Sequence, residues 1–90
     1  MMTAFQREQL RLSLLRYLDL NPARWGLSTA LLWQCVLSEG SKATADEIDQ
    51  ELAYLADPSK GLIVRVVKMI SPENPSWNIT AAGRDYLASK

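Results

Sequence analysis

The chain of 90 residues has no histidine, a single cysteine, a single phenylalanine and no net charge, its ten basic and ten acidic residues cancelling. Without histidine no side chain titrates near neutral pH in its ordinary state, and the lone Cys35 has no such base to activate it as a nucleophile. One cysteine also excludes an intramolecular disulfide and suits a reducing compartment, so a cytoplasmic location is expected. No apolar run approaches the ~20 residues that cross a bilayer, and stretches such as Leu31–Leu32–Trp33 and Leu62–Ile63–Val64 are far shorter, so no membrane association is expected. The opening Met1–Met2–Thr3–Ala4–Phe5–Gln6–Arg7 lacks the basic segment and long apolar stretch of a secretory signal. There is no glycine-rich phosphate loop, no metal-ligand spacing, no internal repeat and no low-complexity segment. Catalysis, a metal and a cofactor are therefore not expected.

What is present suits one small folded domain spanning 1–90. Hydrophobic residues make up 48% and charged residues 22%, which argues against disorder and supports a single modest core. From Thr3 to about Leu20, Leu10, Leu14 and Leu18 recur at the four-residue spacing of a buried helical stripe, widened by Leu15 and Tyr17. Phe5 and Leu12 fall outside that stripe; either they finish the core, or this helix is apolar on two sides and offers a seam for a homodimer. Asn21–Pro22 stops it, and Trp25 is expected to cap one end of the core. Ser28 is the N-cap of a second helix running to about Ser38, with Leu31, Leu32, Cys35 and Val36 inward. Thr44 followed by Glu47 forms a capping box for a third helix whose inward stripe is Ala45, Ile48, Leu52 and Leu55. Its outer face carries Asp46, Asp49, Gln50, Ala53, Tyr54 and Asp57. The β-branched stretch 62–70, the turn 71–76 and the short strand 77–80 make a hairpin, with Trp77 and Ile79 expected over the third helix. Thr80 caps a closing helix anchored by Tyr86 and Leu87.

This grammar carries a resemblance. Glu47–Ile48 with Leu52 and Leu55, then Gly61–Leu62–Ile63, then Ile79–Thr80–Ala81–Ala82–Gly83, resemble the winged helix-turn-helix superfamily over roughly residues 40–88. The implied fold is α+β but mainly α: a three-helix core, a β-hairpin wing and a short C-terminal helix. A narrower likeness is to small winged-helix proteins encoded by Mu-like phages and prophages, which show an "LLxxL" second helix, an acidic "DLAWLxxxGLV" third helix and a closing "LTxxG". It lies in Leu12–Leu15 with Arg16–Tyr17–Leu18, in Leu31–Leu32, and in Asp49–Gln50–Glu51–Leu52–Ala53–Tyr54–Leu55. Tyr54 stands where those proteins have tryptophan, and Pro58–Ser59 are extra before Gly61. The narrower resemblance implies a phage or prophage setting, in a bacterial host cytoplasm, more than a mechanism; such proteins are mostly named as regulators by analogy of fold.

Two functions follow, and charge divides them. In the first, the third helix enters the major groove of double-stranded DNA. Gln50 would read an adenine edge, Lys42, Thr44 and Tyr54 would contact phosphates, and Lys60, Arg65 and Lys68 would supply the wing. Against it, residues 44–57 hold five acids (Asp46, Glu47, Asp49, Glu51, Asp57) and no base, and the hairpin tip has Glu73 and two prolines. The capping box and helix dipole account for Asp46 and Glu47 only. In the second, the same face is a protein-interaction surface that docks on a basic partner through Asp46, Asp49 and Asp57, with Tyr54 as its aromatic anchor. Each of these polar positions also suits a plain solvated surface.

Overall fold

The Thr3 N–H donates to the Gln6 side-chain oxygen at 2.9 Å while the Thr3 hydroxyl accepts from the Gln6 N–H at 3.1 Å. This reciprocal cap satisfies two free donors at the start of α1 (Ala4–Leu20). In the computed structural model, residues 3–20, 26–66 and 76–90 are described. Leu10, Leu14, Leu15 and Leu18 of α1 are buried, as their spacing requires. The Asn21–Pro22 stop and Trp25 lie outside the described residues.

The chain resumes at Gly26, whose φ of +74° and close approach to the Trp77 carbonyl both demand glycine. It leads into β1 (Leu27–Ser28), a strand too short to be signalled by alternation. Ser28 caps α2 (Thr29–Ser38) by accepting the Leu31 N–H at 3.2 Å. Leu32 and Val36 of α2 are buried, but Leu31 is 50% exposed, contrary to the sequence expectation. An inward stripe four residues apart suffices for a ten-residue helix, and Leu31 sits one position off it. Cys35 is half-buried.

Both hydrogen bonds of the Thr44–Glu47 capping box are made, at 2.8 and 3.2 Å, and open α3 (Ala45–Ala56). Ile48, Leu52 and Leu55 are each no more than 1% exposed and face α1 and α2. Ala45 is exposed rather than inward, because the first turn overhangs the core. Then follow β2 (Ile63–Val66), β3 (Ser76–Ile79) and α4 (Ala81–Ala88). The rest of the expected first hairpin strand, 67–70, and the turn 71–75 lie outside the described residues.

The three strands form an antiparallel sheet in the order β1-β3-β2, with Ile63 opposite Ile79, Arg65 opposite Trp77 and Leu27 opposite Trp77. The strand β1 therefore makes β3 central. As a result β3 packs chiefly on α1, and it is β2 that packs on α3, correcting the expectation that Trp77 and Ile79 lie over the third helix. The Trp77 indole N–H donates instead to the Thr29 hydroxyl at 2.9 Å, fastening β3 to the start of α2. Thr80 caps α4, accepting from the Gly83 N–H at 3.0 Å while its hydroxyl donates to the Gly61 carbonyl at 2.6 Å. The architecture is thus α+β and mainly helical around one small sheet. Among the described residues no helix is long and apolar enough to cross a membrane.

Candidate nucleic-acid interface

The turn 39–44 and the outer face of α3 form the candidate surface. Lys42 is exposed in that turn, and Thr44 is exposed at the helix N-terminus with its backbone and hydroxyl held by the capping box. Asp46, Asp49, Gln50 and Ala53 are exposed together on one face, as a period of 3.6 residues places them. Gln50 thus shares its face with two carboxylates and a methyl group, and Lys42 and Thr44 stand at the positive end of the helix dipole.

The remaining acids of this segment are engaged within the fold. Glu51 is only 6% exposed and turns toward α1, where its carboxylate accepts from Arg11 Nε at 2.6 Å. Burial disfavours the charge on Arg11, but the hydrogen bond and charge of Glu51 outweigh it and hold the guanidinium above its usual pKa. Asp57 ends α3, where one carboxylate oxygen accepts both the Ser59 N–H at 2.8 Å and the Ser59 hydroxyl at 2.7 Å. These bonds, the backbone one first, hold the Asp57 carboxyl below the usual carboxylate range. Glu47 completes the capping box. Asp46 lies in the first turn, where its charge suits the dipole. Asp46 and Asp49 are left as the acids of this segment with no hydrogen-bond or ion-pair partner among the described residues.

Cations are engaged in the same way. The Arg11 guanidinium lies 3.8 Å from the centroid of the Tyr54 ring, and Lys60 Nζ lies 4.6 Å from it. Tyr54, 40% exposed, therefore presents ring faces already covered by cations, which weakens it as an aromatic anchor for a partner. Arg11 itself, one turn from Arg7 on the first helix, is withdrawn from any basic surface by Glu51 and by Glu8 at 3.9 Å. Arg65 is exposed on β2, and Lys68 lies outside the described residues. Arg7 and Lys42 have no ion-pair partner among the described residues.

The fold thus gathers Lys42, Thr44, Asp46, Asp49 and Gln50 at one end of α3, with Tyr54 and Lys60 on its flank. Sequence reasoning missed the lattice behind this surface. Glu8 accepts the Tyr86 hydroxyl at 2.6 Å and pairs with Lys90 at 3.7 Å, so α4, α1 and α3 are linked through Glu8, Arg11 and Glu51. Its only advance signal is Glu8 and Arg11 three residues apart; the partners on other helices have none. Among the described residues no group of three acidic or thiol side chains converges as a metal site. No protein-family model, curated protein or solved structure matches the chain.

Proposed function

We propose that the chain is a winged helix-turn-helix domain that binds double-stranded DNA as a transcriptional regulator of phage or prophage type. The helix order with β1 before α2, and the sheet order β1-β3-β2, support the winged-helix assignment, with β2 and β3 as the base of the wing. The observation that carries the DNA reading is the internal engagement of Glu47, Glu51 and Asp57. It neutralises one of the five acids that argued against a groove-facing α3, Glu51, and ties two others, Glu47 and Asp57, to the helix ends. Gln50 then reads a base edge, and Lys42, Lys60, Arg65 and Lys68 contact phosphates. The protein works by binding, not catalysis.

The test is fluorescence polarisation on random and prophage-derived duplexes. With those four cations each neutralising a phosphate, log K falls against log salt with a slope of about −3.6. Lys42→Gln lowers the slope by about one, and Gln50→Ala weakens preferred sequences more than random ones. No binding at about 50 mM salt, or binding indifferent to salt, refutes DNA recognition. That outcome would favour the second reading, in which exposed Asp46 and Asp49 dock on a basic protein.

A further inference from the structure

The two most exposed large hydrophobic side chains among the described residues, Phe5 at 72% and Leu20 at 74%, stand at opposite ends of α1. Between them, on the face away from the core, lie Gln9, half-buried Leu12 and Arg16, the last with 55% of its side chain exposed. The steps from 5 to 9, 12, 16 and 20 keep all five side chains on one stripe of a 3.6-residue helix. The opposite stripe of α1, Leu10, Leu14 and Leu18, is the core. Along one bank of the outer stripe runs an open groove of about 740 Å³, floored by Leu10, Val36 and Ala43.

We propose that a second copy of this chain covers this stripe, α1 packing on α1 in an antiparallel, two-fold symmetric pair. The sequence of the stripe selects that occupant. Rotation about a point between Leu12 and Ser13 brings Phe5 of each copy against Leu20 of the other and leaves the two Leu12 side chains beside the axis, one residue apart along it. It also sets Gln9 opposite Arg16, so that the guanidinium, which already donates to Ser13 at 3.0 Å, has donors left for the Gln9 oxygen. A parallel pair would instead stack Arg16 on Arg16, each with only the 4.0 Å contact to Glu39 of its own chain to offset its charge, and would leave Gln9 against Gln9. The stripe is therefore self-complementary only in the antiparallel sense, which is the condition for a closed isologous dimer. The 17 residues of α1 give a seam of about 25 Å at 1.5 Å per residue.

Sedimentation equilibrium on the full chain tests this. Wild type dimerises within a micromolar range, and Phe5→Asp and Leu20→Asp each raise the dimer dissociation constant at least about 30-fold, the loss of one buried anchor. Val64→Asp, at an exposed apolar position on the sheet, leaves it unchanged. In a Cys35→Ser background, mixed Gln9→Cys and Arg16→Cys chains form the heterodisulfide, and Gln9→Cys alone does not link to itself. Circular dichroism confirms folding of each variant, and the cross-linking arm stands if an aspartate variant unfolds. A wild-type monomer up to about 200 µM, a dimer indifferent to both aspartates, or a Gln9→Cys self-link each overturns the proposal.

Discussion

Replacing Arg11 with methionine leaves the Glu51 carboxylate, its side chain 8% exposed, without its 2.6 Å donor. Removing one member of a fully buried pair costs about 3–5 kcal/mol, because the remaining charge is desolvated and uncompensated. Arg11 retains 19% exposure, so water reaches part of the site and the lower end, about 3 kcal/mol, applies. Loss of the guanidinium over Tyr54 adds about 0.5 kcal/mol. A domain of this size has about 5–10 kcal/mol in total, so Arg11→Met removes a third or more of its stability. At about 4–8 °C per kcal/mol, Tm falls by about 15 °C or more. Arg11→Met combined with Glu51→Met buries no charge and recovers to within about 1 kcal/mol of wild type, so the coupling is at least about 2.5 kcal/mol and grows by whatever Glu51→Met costs alone. Urea unfolding followed by circular dichroism, with m-values compared across the cycle, measures each corner. If both single variants cost under about 1 kcal/mol and add in the double, the pair behaves as a surface ion pair and the reasoning fails.

Thr44→Ala breaks one bond of the capping box and costs about 1 kcal/mol in urea unfolding; Glu47→Ala does the same from the other side, and the double variant costs less than the sum. Gly83→Ala is far worse than its helical position suggests, because a methyl group would strike the Leu62 carbonyl; a loss of about 2 kcal/mol or more in Tm-derived stability is expected, where exposed helical sites gain from the same change. The Tyr86 phenol is pushed up to about 12 by its hydrogen bond to Glu8, then by burial. Its folded value exceeds the unfolded 10.0, so this stabilisation is whole below pH 10 and is lost as pH rises toward about 12. Tyr17 is raised too, by its bond to Glu39, so ultraviolet titration should find the last tyrosine to ionise in wild type ionising earlier in Glu8→Gln.

Elements specified by adjacent residues were readable from sequence. The capping box of α3, the Ser28 and Thr80 caps and the stripe of α1 rest on spacings of three or four, which the chain displays directly. What depended on distant partners was not. Glu51 lies between the inner and outer faces of α3, and only Arg11, 40 residues earlier, decides that it turns inward. Counting it as an outward acid therefore overstated the charge on the candidate surface. Tyr54 was legible as an outer residue, but not the two cations that cover its ring. β1 has two residues, too few for any period, yet it decides that β3 is central and packs on α1.

The clasp between Tyr86 and Glu8 joins residues 78 positions apart. A ribosome adding about 5–20 residues per second needs roughly 4 to 16 s to traverse that interval. Throughout it α1 can pack on α2 and α3 but lacks the helix that fastens its flank. Closure of that flank comes last, and a nascent chain stalled before α4 would present it to chaperones or proteases instead of to its own fold.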